Sequence, residues 1–87
     1  MISIYYGNIE NLIKVADVTT KEELWSKINT FLDYKGYPER RYMRCWDIDT
    51  SHGPVTHCDF GSWSRFIYYG DPEACLEYFK EYHYGNY

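Results

Sequence analysis

The chain has 87 residues, a net charge of −4 and 21% aromatic residues, among them eleven Tyr. This length predicts a single domain, residues 1–87, that buries only about 60 to 65% of the surface its unfolded form exposes. The acidic balance argues against direct nucleic-acid binding. The chain has no run of about 20 apolar residues and no secretory signal pattern, so we expect no membrane contact and a cytoplasmic location.

The first eighteen residues predict a strand followed by an ambiguous segment. Ile2 to Tyr6 is β-branched and aromatic, and the Gly-Asn pair after it indicates a turn. The apolar positions between residues 9 and 18 fit neither the helical nor the strand period. A short second strand and an irregular connection both remain open.

The clearest element is a helix from about Lys21 to Tyr34. Thr20, followed three residues later by Glu23, matches the capping box that begins a helix, and apolar residues then recur at helical spacing. Gly36 can adopt the left-handed conformation that ends a helix, and Pro38 prevents its continuation.

Three strand candidates follow at residues 40–49, 53–60 and 62–69, separated by short turn sequences. This spacing predicts an antiparallel meander. Both faces of the first candidate carry apolar side chains, with Trp46 on one side and Cys45 on the other. We therefore expect helices to cover one face of the sheet and something else, such as a partner, to cover the other.

A second helix is predicted near the C-terminus, with Asp71 as its N-cap and Pro72 at its first position. The complete pattern predicts an α+β fold, an antiparallel sheet of three to five strands with two helices in the order β(β)αβββα. One side of this helix carries an acidic row, Glu73, Glu77 and Glu81, in which each residue follows the last by four. The row is either a solvated helix face or a surface that contacts a partner.

The segment between residues 45 and 58 is rich in metal-binding side chains. The three cysteines, at 45, 58 and 75, do not resemble the paired framework of a small secreted protein, which favours reduced thiols or metal ligands. Cys45, His52, His57 and Cys58 could supply the four donors of one structural zinc ion, which would also stabilise a small domain. Three other residues could replace a member of this set: Asp49, Asp59 and Cys75.

Two other interpretations of this segment remain. Adjacent His57 and Cys58 point to opposite faces of a regular strand, so both bind one ion only where a bulge or turn interrupts it. A plain hairpin with a buried cysteine, either Cys45 or Cys58, and surface histidines needs no metal. The same divergence of neighbouring side chains argues against a catalytic Cys-His pair, and we expect no enzyme activity.

Negative charge is concentrated in the second half of the chain. Residues 47–87 contain seven acidic residues and only Arg65 and Lys80 as basic ones, which gives this half a net charge near −5. Such an acidic surface suits a basic partner surface, including the groove of a nucleic-acid-binding protein.

A short motif overlaps the second and third strand candidates. Residues 59–68 follow the pattern D-[FY]-G-S-x-x-x-F-[IF]-Y. The matching residues are Asp59, Phe60, Gly61, Ser62, Phe66, Ile67 and Tyr68. With the preceding helix and a strand containing Met43 and Trp46, roughly residues 20–70 resemble small phage- and prophage-encoded proteins of Gram-positive bacteria, a group that includes anti-CRISPR inhibitors of type II effector nucleases. The matching residues look structural, so the resemblance transfers no functional residue.

The resemblance implies a protein that inhibits by binding. It would occupy a surface of the host CRISPR effector nuclease, or of another basic nucleic-acid-binding protein, and block DNA loading or cleavage without catalysis. Exposed Tyr and Trp would serve as anchors, with Glu73, Glu77 and Glu81 as complementary charges. The alternative is a small zinc-stabilised phage structural or regulatory protein with no defence target.

Overall fold

Five strands form one antiparallel sheet in the computed structural model, which describes residues 1–7, 12–35, 43–59 and 66–80. The elements in chain order are β1 (Ile2–Gly7), β2 (Leu12–Val18), α1 (Lys21–Lys35), β3 (Arg44–Thr50), β4 (Gly53–Asp59), β5 (Phe66–Gly70) and α2 (Pro72–Phe79). The strand order across the sheet is β2-β1-β5-β4-β3. The predicted α+β class and element order are confirmed, and the segment that the sequence left open is the strand β2.

The capping box predicted for α1 is formed. The Glu23 backbone N–H donates to the Thr20 hydroxyl at 3.1 Å, and the Thr19 hydroxyl donates to the Glu23 carboxylate at 2.7 Å. These bonds satisfy a free donor in the first turn, so the helix begins at Lys21 as predicted. It ends at Lys35, one residue beyond the predicted end, and the predicted stop residues 36 and 38 lie outside the described residues.

The start of α2 is confirmed as well. The Asp71 side chain caps the helix by accepting from the Glu73 backbone N–H at 2.9 Å, and Pro72 occupies the first helical position. None of the described helices is both long and apolar enough to cross a membrane.

The two helices lie on opposite faces of the sheet. On the face that we call the α1 face, α1 covers β1 and β2, and the buried residues are Ile4, Tyr6, Val18, Leu24, Ile28, Leu32 and Ile67. On the α2 face, α2 covers the middle of the sheet, and the buried residues are Val55, Phe66, Tyr68, Ala74, Cys75 and Tyr78. The expectation that both helices cover one face is therefore wrong. The central strand β5 is apolar on both sides because each of its faces meets a helix.

A two-residue turn joins β3 to β4. Ser51 and His52 form the turn, and Gly53 follows with a φ of 113°, a conformation that residues with a side chain rarely adopt. The Thr50 hydroxyl donates to the Gly53 carbonyl at 2.6 Å. This tight turn sets the register of the hairpin, in which Thr50 pairs with Gly53 and Arg44 with Asp59.

Candidate functional site

The two cysteines of the hairpin form a disulfide bond. Cys45 on β3 lies directly opposite Cys58 on β4, with their Cα atoms 4.1 Å apart, and both side chains lie on the α1 face. The expectation of reduced thiols therefore does not hold for these two residues in this structure. A short covalent link can join them because the hairpin register places them side by side.

The two histidines of the predicted zinc set lie away from this disulfide. His57 is on the α2 face, since it alternates with Cys58 along β4, and His52 lies in the turn at the far end of the hairpin. The structure therefore does not bring the four predicted ligands together. Among residues 1–7, 12–35, 43–59 and 66–80, no group of three or more His, Cys, Asp and Glu side chains could hold a metal ion. Zinc binding by the reduced chain stays a prediction.

His57 belongs to an aromatic cluster in the core. Its ring lies between those of Trp46 and Phe66, with centroid distances of 4.9 and 4.8 Å. Its Nδ1 atom is 2.6 Å from the Tyr78 hydroxyl, and both residues are only 4% exposed. The expectation of surface histidines thus fails for His57, whose Nδ1 atom shares a hydrogen bond with the hydroxyl of Tyr78 on α2.

The turn of the hairpin is attached to α2 through Glu77. The carboxylate accepts the Ser51 backbone N–H at 2.7 Å and also the Ser51 hydroxyl, and it lies 3.2 Å from Nδ1 of His52. The hydrogen bond from the Ser51 hydroxyl, with that from its N–H, lowers the pKa of Glu77. Ser51 and Glu77 both approach the same ring nitrogen of His52, whereas a catalytic triad uses the two nitrogens separately. The arrangement can hold the turn in place.

The contact between Glu77 and Ser51 reduces the number of exposed carboxylates in the predicted acidic row of α2. Glu77 is occupied within the protein, Glu73 is exposed, and Glu81 lies outside the described residues. The described part of the row therefore offers one exposed carboxylate to a partner, instead of a continuous acidic face.

Two buried polar groups on the α2 face, the Cys75 thiol and the Tyr68 hydroxyl, stay neutral. Burial raises the pKa of the Cys75 thiol to about 12, so the thiol stays neutral and behaves as a small apolar side chain. Burial likewise raises the pKa of Tyr68, whose hydroxyl has no hydrogen-bond partner in the described part of the chain. Neither group has the exposure that a reactive residue needs.

A groove lies on the α1 face beside α1. Because α1 covers β1 and β2, it leaves a cavity of about 410 Å³ over β3 and β4. Lys21 and Trp25 of α1 line one side, and Asp47, Thr56 and Tyr69 of the sheet line the other. The Thr56 hydroxyl donates to the Asp47 carboxylate at 2.7 Å, and the Trp25 and Tyr69 rings meet edge to face at 6.0 Å. The groove thus combines aromatic walls with charged groups.

The strand β3 forms one edge of the sheet and is exposed along much of its length. Residues 44–47 are all exposed, and the Trp46 side chain is 45% exposed. Asp47 and Asp49 point to the α1 face, whereas Trp46 and Ile48 point to the α2 face. The predicted site residues do not include this edge, although the alternation of acidic and apolar residues in β3 is a sequence signal for it.

Comparisons with models of protein families, with curated proteins and with solved structures found no match. The described residues define the class of the protein as an α+β domain whose five-stranded antiparallel sheet has one helix on each face.

Proposed function

We propose that this protein acts by binding, without catalysis, and that it inhibits a CRISPR effector nuclease of a bacterial host by occupying a basic surface of that nuclease. The observation that carries the proposal is the juxtaposition of exposed aromatic and acidic side chains around β3. Trp46 is 45% exposed and Trp25 is 38% exposed, and Asp47 and Asp49 are exposed on the same strand as Trp46. Large aromatic side chains provide most of the binding energy in many protein interfaces, and charges provide specificity and speed of association.

The charge of the protein supports the choice of partner. The net charge is −4, and residues 47–87 alone contain seven acidic residues. CRISPR effector nucleases hold their guide-target duplex in a positively charged channel. An acidic protein of this size can compete for such a channel, because its carboxylates complement the same groups that contact nucleic-acid phosphates.

The direct test is a cleavage assay with a panel of purified type II effector nucleases loaded with guide RNA. At least one nuclease is expected to bind the protein and to lose cleavage of its target DNA as the protein approaches stoichiometric amounts. Binding should weaken as salt increases, because the contact is between opposite charges. Failure to bind any member of the panel at low salt contradicts the proposal, and self-association without nuclease binding favours a structural role in its place.

The order of addition separates a block of DNA loading from a block of cleavage. A protein that occupies the DNA channel must be added before the target, whereas one that prevents the later conformational step inhibits in either order. We expect inhibition only when the protein is added first. Equal inhibition after the target has bound contradicts occupation of the channel and places the contact elsewhere on the nuclease.

A further inference from the structure

We propose that the free edge of β3 is the docking site, and that the partner contributes an extended basic segment that adds to the sheet as a sixth strand. This inference rests on the proposed function for the basic character of the partner. It moves the interface from the acidic row of α2, which covers the middle of the sheet, to the edge strand β3, and it names main-chain hydrogen bonds as the principal contact.

The strand β3 is a regular edge, unlike the other edge of the sheet. Its pairing with β4 runs without interruption from Arg44 to Thr50, and among the described strands β4 is its only neighbour. At the other edge, the pairing of β2 with β1 contains an irregularity next to Tyr5, and α1 packs against β2. Bulges and covering helices are the usual means of blocking an edge strand, and the described residues provide them only for β2.

The register identifies which backbone groups face outwards. The Cα atoms of Cys45 and Cys58 are 4.1 Å apart, which is close to the ~4.5 Å of a non-hydrogen-bonded antiparallel pair and well below the ~5.5 Å of a hydrogen-bonded one. Pro54, which lacks an N–H group, lies opposite Asp49 and fits the same alternation. Cys45, Asp47 and Asp49 therefore direct their N–H and C=O groups away from β4, towards the free edge.

Both ends of this edge are fixed before any partner binds. The disulfide holds Cys45 against β4 at one end, and the Glu77 carboxylate holds the backbone of Ser51 at the other. A strand fixed in its bound conformation loses less conformational entropy on association than a mobile one. The disulfide and the turn contact thus acquire a role in binding in addition to their role in stability.

The side chains beside the edge select the chemistry of the added strand. On the α1 face, Asp47 and Asp49 present two carboxylates, and the described lining of the groove contains one ammonium, that of Lys21. On the α2 face, Trp46 and Ile48 present apolar surface. An added strand with basic residues on one face and apolar residues on the other complements both faces. A second copy pairing symmetrically about Asp47 places two carboxylates side by side, which disfavours self-pairing.

The first test maps the contact by NMR, with a synthetic peptide of about six residues that alternates Lys and Val as the probe. We expect changes in the amide signals of Cys45, Asp47 and Asp49, and slower exchange of these amide protons with solvent. A matched peptide that alternates Glu and Val is expected to cause no change. Changes confined to residues of α2, or the absence of any change, overturn the inference.

The second test uses a variant that removes one outward N–H group. Asp49→Pro is compatible with an edge position whose N–H does not bond to β4, and Asp49→Asn removes the charge but keeps the N–H. We expect Asp49→Pro to weaken binding of the Lys-Val peptide at least about tenfold, and Asp49→Asn only about threefold. Glu73→Gln, which changes the net charge by the same amount as Asp49→Asn, is expected to have no effect. An unchanged affinity in Asp49→Pro overturns the inference, and the map obtained with the unaltered protein decides the question if that variant does not fold.

The same variants separate this inference from the proposed function. If an effector nuclease binds the unaltered protein and Asp49→Pro with equal affinity, the assignment of the β3 edge as the docking site is wrong but the nuclease proposal stands. If no nuclease binds and the Lys-Val peptide still maps to β3, the assignment of the β3 edge as the docking site stands and the nuclease proposal fails.

Discussion

The hydrogen bond between Tyr78 and His57 should stabilise the protein measurably. The Tyr78 hydroxyl is 2.6 Å from Nδ1 of His57, and both residues are 4% exposed. Tyr78→Phe keeps the ring and its packing but removes this hydroxyl, so the buried imidazole nitrogen loses the bond and has little access to water. A buried polar atom that loses its partner costs about 1 to 3 kcal/mol of unfolding free energy. For a domain of this size, that loss lowers the melting temperature by about 5 to 20 °C.

Tyr68 provides a matched control in the same cluster. Its ring meets that of Tyr78 edge to face at 4.9 Å, it is fully buried, and its hydroxyl has no hydrogen-bond partner among the described residues. Tyr68→Phe therefore removes a buried polar group without breaking a bond. We expect the unfolding free energy to stay the same or to rise by up to about 1 kcal/mol.

Urea denaturation followed by circular dichroism measures both variants under the same conditions. We expect a lower midpoint for Tyr78→Phe and an equal or higher midpoint for Tyr68→Phe, with unchanged slopes. Equal destabilisation by Tyr68→Phe and Tyr78→Phe contradicts a stabilising hydrogen bond between Tyr78 and His57. That result means that the hydrogen-bond assignments within the aromatic cluster are wrong.

Three further predictions concern the hairpin. Reduction of the Cys45–Cys58 disulfide should lower the unfolding free energy by about 3 kcal/mol, as expected for a loop with a sequence separation of 13. Equal denaturation midpoints with and without reductant contradict this prediction, as do free thiols at both positions by mass spectrometry. The oxidised protein should contain no stoichiometric zinc by elemental analysis, because the sulfur atoms of Cys45 and Cys58 are bonded to each other and are not available as thiolates. One zinc ion per oxidised chain refutes the assignment. The pKa of Glu77 is lowered by Ser51, so its contribution to stability is present above the unfolded-state value of 4.5 and is lost as pH falls through the folded-state pKa. Between about pH 6 and about pH 3 the unaltered protein should therefore lose more stability than Glu77→Gln, and equal losses contradict the contact.

The helices could be predicted closely because their signals are local. The capping box at Thr20 and Glu23 and the Asp71-Pro72 pair satisfy backbone donors within a few residues, whatever the rest of the fold does. Both observed helices begin where these signals place them.

The sequence contains the information needed to predict the disulfide, although the disulfide was not predicted. A two-residue turn at Ser51 and His52 fixes the register of the hairpin, and that register puts Cys45 directly opposite Cys58. The odd number of cysteines argued for reduced thiols, yet the third, Cys75, is a buried residue of α2 and takes no part. Pairing geometry was a better guide here than the cysteine count.

The faces of the sheet could not be predicted from periodicity. Alternation along β5 shows that Phe66 and Tyr68 share one face and Ile67 the other, but it does not say which helix covers which face. That choice depends on the crossover connections and on long-range packing. The groove beside α1 follows from the same choice, since it exists only because the two helices lie on opposite faces.

Amide hydrogen exchange of the protein bound to an inhibited effector nuclease shows whether the edge of β3 is the contact. We expect the amides of Cys45, Asp47 and Asp49 to exchange readily in the free protein and to become protected in the complex, because a strand of the nuclease accepts their hydrogen bonds. The amides of Trp46 and Ile48, which bond to β4, should be protected in both states. Unchanged exchange rates of these three amides in an inhibited complex contradict the assignment of the β3 edge as the docking site.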